Sequence, residues 1–187
     1  MKDMKRIFTL CTVLLVAATV LSAQETSRKY GVKSGTAKAV TEMMGQKIES
    51  TMYFDDYGAL EASKAVAGGM EIVTVSRDGK SYMVNAAARQ VQEIPVQKSI
   101  NFLALTPEVV EEYKIKEIGR EKVAGKECTK YSAEVSQMGQ TAQMTICVWE
   151  GFPMKSVTSS MGMLVSVVVT AFSEGEVDAS LFEVPTF

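Results

Sequence analysis

Apolar and polar residues alternate through most of residues 32–173, in short runs broken by glycine-bearing turns. A period of two predicts strands with one buried face. Runs at 32–43 and 47–54 flank Met44-Gly45-Gln46 and read as a hairpin. Asp55-Asp56-Tyr57-Gly58 follows as a turn, because Asp side chains cap nearby backbone and Gly accepts positive φ. Runs at 60–66 and 70–77 surround Gly68-Gly69, and Asp78-Gly79 then predicts a two-residue type I′ hairpin closed by 80–84. Beyond the middle come runs at 117–123, 126–135, 141–149, 154–160 and 163–173, with turns at Ala124-Gly125, 137–139, 151–153 and Met161-Gly162. Leu181, Phe182 and Val184 are expected to dock as a last edge strand. Helix is predicted in one region, 99 to about 113, where Thr106 is a suitable N-cap, Pro107 takes the first helical position and Glu108 lies in the first turn.

The first residues break this pattern. Lys2, Lys5 and Arg6 precede an apolar run over 7–21 that ends in Ser22 and Ala23, the order of a secretory leader, with cleavage expected after Ala23. The run is shorter than the roughly 20 residues a spanning helix needs. Cys11 lies inside it behind Leu10, not after it, so lipid attachment is not expected. The domain expected is 24–187, exported to the periplasm, unlipidated, and large enough to fold on its own core. The leader removes three basic residues and only Asp3, so the mature chain is more acidic than the whole chain's net −2. That balance excludes nucleic acid as a partner.

Cys128 and Cys147 sit in consecutive strands. Placing them opposite each other sets Lys130 against Thr145 and Ser132 against Gln143 on a polar face, and Tyr131 against Met144 and Ala133 against Ala142 on an apolar one. This register predicts a Cys128–Cys147 disulfide, in keeping with an oxidising compartment.

The chain contains no histidine, which removes the commonest general base and zinc ligand. Gly68-Gly69 is followed by Met70 and Glu71, not by a lysine and a helix start, so it is no phosphate loop. Asp55-Asp56 and Glu111-Glu112 read as turn chemistry and a solvated helix face. The chain is therefore expected to be no enzyme, with no catalytic residue, metal site or cofactor. Its 12 methionines are the compositional oddity. Unbranched thioethers suit either irregular core filling or a surface that accepts variable apolar partners.

Tyr30-Gly31-Val32-Lys33-Ser34-Gly35, Tyr53-Phe54-Asp55-Asp56-Tyr57-Gly58, Gly125-Lys126-Glu127-Cys128 and Trp149-Glu150-Gly151-Phe152-Pro153-Met154-Lys155 together resemble a family of exported bacterial proteins of unknown function. That family looks related in architecture to periplasmic lipoprotein carriers and outer-membrane lipoprotein-sorting proteins. The resemblance implies a mainly β (α+β) fold, a curved antiparallel sheet or unclosed half-barrel with one or two short helices packed on its concave side. It also implies a non-catalytic carrier for a lipid or other apolar small molecule. By residue type and position, Met52, Tyr53, Met70, Met83, Phe102, Leu103 and Met144 are the expected cavity residues. The alternative is a cell-envelope scaffold that binds a protein and no small ligand, marked by an exposed apolar patch.

Overall fold

A computed structural model describes residues 28–96, 99–137, 140–160 and 162–187. The expected leader and the cleavage expected after Ala23 lie outside the described residues. Eleven strands form one antiparallel sheet: β1 (Gly35–Met43), β2 (Gln46–Asp55), β3 (Leu60–Ala67), β4 (Met70–Arg77), β5 (Lys80–Asn85), β6 (Gln90–Ile94), β7 (Lys116–Val123), β8 (Lys126–Gln137), β9 (Gln140–Trp149), β10 (Phe152–Ser160) and β11 (Met163–Glu174). Their order is β6-β5-β4-β3-β2-β1-β11-β10-β9-β8-β7. The chain thus runs outward from β1 to one edge, crosses to the opposite edge, and returns to lay β11 against β1. The sheet is curved and not closed into a barrel, as the resemblance implies.

Two-residue turns set this meander. Met44-Gly45, Gly68-Gly69, Asp78-Gly79, Ala124-Gly125 and Glu150-Gly151 each have positive φ at both residues. Each is bracketed by a directly paired couple, such as Arg77↔Lys80 and Val123↔Lys126. That is type I′ geometry, whose twist suits the strands it joins.

The crossover from β6 to β7 contains the single α-helix among the described residues, α1 (Pro107–Glu112), capped by Thr106 and led by Pro107 as the sequence predicts. The helix is much shorter than the 99–113 span expected of it. It has no buried residue, so no packed face extends it, and 99–105 is irregular backbone that crosses the sheet.

Three further expectations are corrected. Strand β6 goes beyond the runs read from the sequence: Gln90, Gln92 and Glu93 hide its period, because an edge strand needs no apolar face. The chain end is a 3-10 turn at Ala179–Phe182, not an edge strand; Asp178 caps it by accepting from the Ser180 amide at 2.9 Å. Finally, β8 and β9 pair two residues away from the expected register, with Lys130 opposite Cys147, Ser132 opposite Thr145 and Tyr131 opposite Ile146. Gln137 faces Gln140, so two residues join the strands and the turn falls one residue further along the chain than the expected register would put it. A two-residue slip keeps every side chain on its face. It does leave Cys128 diagonal to Cys147, a spacing of about 7–8 Å, longer than a disulfide normally spans. The expected bond is not formed, and both cysteines are free and buried.

The core gathers where the N-terminal segment meets the sheet. Tyr30, Phe54 and Phe152 are fully buried, with ring centroids 4.9–5.3 Å apart. Backbone bonds fasten the segment there: the Gly31 amide donates to the Glu150 carbonyl at 2.8 Å, and the Lys29 and Tyr30 amides both donate to the Tyr57 carbonyl at 3.0 Å. On the other face of β3 and β4, Phe182 buries against Ala62 and Val75.

Candidate functional site

Because the crossover must travel from one edge of the sheet to the other, it lies over a sheet face and roofs a cleft. Side chains alternate along a strand, so Met144 and Ile146 of β9 point to one side together with Ala133 and Tyr131, their partners on β8. Phe102 from the crossover stacks on Tyr131 with centroids 5.2 Å apart. Asn101 ties the same loop to the N-terminal segment by donating from Nδ2 to the Arg28 carbonyl at 3.0 Å. Between them lies a cleft of about 640 Å³, walled by Met52, Ile100, Phe102, Val135, Met144, Ile146 and Pro153, with the hydroxyl residues Ser99, Tyr113 and Thr158 among them. Its size and its mainly apolar lining with a few polar groups are those of a small-ligand pocket.

One end of the cleft is polar. Lys29, Tyr30, Glu61 and Gly151 line it. Lys29 Nζ donates to both Glu61 oxygens, at 2.8 and 2.7 Å, and the Tyr30 hydroxyl donates to Glu61 Oε1. Burial, reinforced by the adjacent Glu61 carboxylate, holds the Tyr30 hydroxyl far above its ordinary pKa, so it stays a neutral donor. Glycine is required at 151: φ is +74°, and a Cβ there would stand 2.6 Å from the Lys29 carbonyl and 2.7 Å from Leu103 Cγ. This turn lets the N-terminal segment and the crossover approach closely enough to close that end.

Of the seven residues expected at a cavity, the structure brings Met52, Phe102 and Met144 together in the cleft wall. Tyr53 alternates with Met52 and packs instead against the cluster around Phe182 on the other face. Met70, Met83 and Leu103 are exposed, Met70 at 64%. The cleft's other main contributors, Lys29, Tyr30, Glu61, Tyr113 and Ile146, are not among the residues the sequence singles out. Tyr30 stands within a family-like motif, but nothing local ties Glu61 to a residue 31 positions away.

A second polar group lies on the opposite face of β9. Glu121 binds Lys155 at 2.5 Å and Lys130 at 3.4 Å, and accepts from Cys147 Sγ at 3.5 Å. The Lys155 hydrogen bond holds the Glu121 carboxyl below its ordinary pKa. Burial, with Glu121 adding to it, pushes the Cys147 thiol up to about 11, which makes it unreactive as a nucleophile. Among the described residues, no group of three or more Asp, Glu or Cys side chains could hold a metal ion.

Several exposed apolar side chains gather at one end of the strands, where the β1–β2, β3–β4 and β10–β11 turns lie side by side. They are Met43, Met44, Val66, Met70, Met163 and Leu164, with Met44 at 78% exposure. Much of the methionine excess sits on this rim and not in the cleft.

The chain belongs to the family described as Domain of unknown function (DUF4412), which matches residues 36–149, from β1 through β9. No curated protein matches it in sequence. Its fold is similar to that of an uncharacterized conserved protein from Thermus thermophilus, at 15% identity and TM-score 0.58, over 88% of this chain and 94% of that one. It is also similar to MucB in the MucA/MucB complex of Pseudomonas aeruginosa, at 18% identity and TM-score 0.56, over 79% of this chain. The chain spans about half of MucB, 54% of its length. A putative outer membrane lipoprotein-sorting protein domain from Vibrio parahaemolyticus is a looser likeness, at 10% identity and TM-score 0.39, over 83% of this chain and 92% of that one.

Proposed function

We propose that this protein is a non-catalytic periplasmic carrier that holds a lipid or other acyl-chain amphiphile in the cleft between the sheet and its crossover. The observation that carries this reading is the cleft itself, about 640 Å³ with an apolar wall and a polar end. A buried core would fill such a space, because interiors are close-packed; an apolar hollow lined by Ile146, Met144 and Phe102 gains by taking up a chain that removes its surface from water. The leader over 1–23 delivers the protein to the periplasm, where soluble passage of an acyl chain needs such shielding.

Solvent extraction and mass spectrometry of the mature protein, purified without detergent from its native envelope, tests the reading. A near-stoichiometric acyl-chain species is the expected result; ligand-free protein that also fails to take up a fluorescent acyl probe would sink it. Within the cleft, Ile146→Trp is expected to weaken probe binding tenfold or more while leaving the thermal midpoint within a few degrees, as read by titration and by melting of the same sample.

The apolar rim favours a second reading, an envelope scaffold that binds a protein through Met44, Met70 and Leu164. MucB, which is similar in fold, forms a complex with MucA. A protein partner lost on Met44→Lys with Leu164→Lys, by a chain that takes up no acyl probe, would favour the scaffold over the carrier.

A further inference from the structure

We propose that the cleft selects an amphiphile whose head carries no net charge and offers both a hydrogen-bond donor and an acceptor, seated on the Lys29–Glu61 pair with its tail running toward Met144 and Val135. This rests on the carrier reading and specifies what it carries.

Among the described lining residues, Lys29 and Glu61 are the charged ones, and they neutralise each other. Ser99, Tyr113 and Thr158 add hydroxyls, each of which donates and accepts. These described residues therefore offer a wall of no net charge and mixed hydrogen-bonding character. Glu61 is positioned from two sides, by Lys29 on both oxygens and by Tyr30 on one, so the carboxylate cannot swing away from an incoming head. The pair is still reachable, with 31% of the Lys29 side chain and 18% of the Glu61 side chain exposed.

An ammonium has three protons and no acceptor, while a carboxylate offers about four lone-pair sites. After their mutual bonds and the Tyr30 bond, Lys29 has a proton left to donate and Glu61 has a lone pair left to accept. A glycerol-type diol or a zwitterionic phosphoethanolamine head uses both. A fatty-acid carboxylate could accept from Lys29, but it would bring a second negative charge beside Glu61 in a partly dehydrated site, where like charges repel more strongly than in water. The polar end lies by the Glu150-Gly151 turn, whereas Met144, Val135 and Thr158 lie toward the other end of their strands, so a chain with its head on Lys29–Glu61 extends along β9.

The test is competition against a fluorescent acyl probe with three amphiphiles sharing one oleoyl tail: monooleoylglycerol, oleoyl lysophosphoethanolamine and oleate, each below its aggregation concentration. The native protein is expected to bind one or both neutral-headed compounds at least tenfold more tightly than oleate. Which of the two binds tells a glycerol head from a phosphoethanolamine one. Glu61→Gln retains an acceptor for Tyr30 and leaves Lys29 unpaired, and is expected to move the preference at least tenfold toward oleate. Lys29→Gln leaves Glu61 unpaired and is expected to move it toward oleylamine. Circular dichroism and melting check that each variant is folded, and either variant alone suffices. Equal binding of oleate and the neutral compounds, or acyl binding that neither variant re-tunes, would overturn the selectivity and leave the carrier intact. Binding of none of them would overturn the carrier reading and this inference with it.

Discussion

Tyr30 illustrates how a single residue joins core and site. Its ring packs on Phe54 and Phe152 in the deepest part of the molecule, while its hydroxyl reaches Glu61 at the cleft. The polar end of the cleft is thus fixed by the same side chain that anchors the N-terminal segment. Backbone strain is legible at the same scale. Ala124 holds φ of +46° at the first position of the β7–β8 turn, a conformation that costs an ordinary L-residue about 1–2 kcal/mol and that Asn adopts more readily. Ala124→Asn is expected to stabilise the protein by about 0.5–1 kcal/mol, seen as a higher urea midpoint with an unchanged slope.

Among the elements, the turns are the most legible and the register of β8 on β9 the least. An X-Gly pair between alternating runs determines a hairpin locally, and Met44-Gly45, Gly68-Gly69, Asp78-Gly79 and Ala124-Gly125 place their turns where the sequence suggests. For β8 and β9 the two registers sort polar from apolar equally well, because the side-chain period is two; they differ in where the turn falls, which is one residue further along the chain in the observed pairing, and with it in the diagonal placement of Cys128 and Cys147. The chain end is likewise decided by packing. Phe182 is 2% exposed and reaches Ala62 and Val75 across the face opposite the cleft. Phe182→Ala is expected to cost about 3 kcal/mol, measured by denaturant unfolding, with acyl-probe affinity unchanged because the cavity it opens is not in the cleft.

For the molecule as a whole, the absence of histidine has a consequence for stability. Hydrogen bonds from Lys155 to Glu121 and from Lys114 to Glu134 hold those carboxyls below their ordinary range. A depressed carboxylate stabilises the fold fully above its unfolded pKa and loses that contribution as pH falls through the folded value. Cys147 works in the other direction: its thiol is raised to about 11, so its contribution is complete below the unfolded value of roughly 8.5 and is lost as pH rises toward the folded one. Tyr30, raised by burial, adds to the alkaline loss. Unfolding free energy, measured in reducing buffer, is expected to be flat from about pH 6 to 8, to fall below about pH 4.5, and to fall again above about pH 8.5. A step near pH 6.5 would contradict this, since it would require a titrating group that neither the composition nor the structure supplies.

What the sequence determined by itself is what local chemistry can specify: alternating strands, glycine turns with positive φ, a capped helix start at Thr106-Pro107, and a chain without histidine. Tertiary structure decided what depends on residues far apart in the chain. β6 exists because β5 offered it an edge, and α1, none of whose residues is fully buried, stopped at six residues. The cleft exists because the crossover has to pass from one edge of the sheet to the other. That passage, and not any local motif, brings Lys29, Glu61, Phe102 and Ile146 to one cavity, and period-two alternation then sends Met52 into it and Tyr53 away from it.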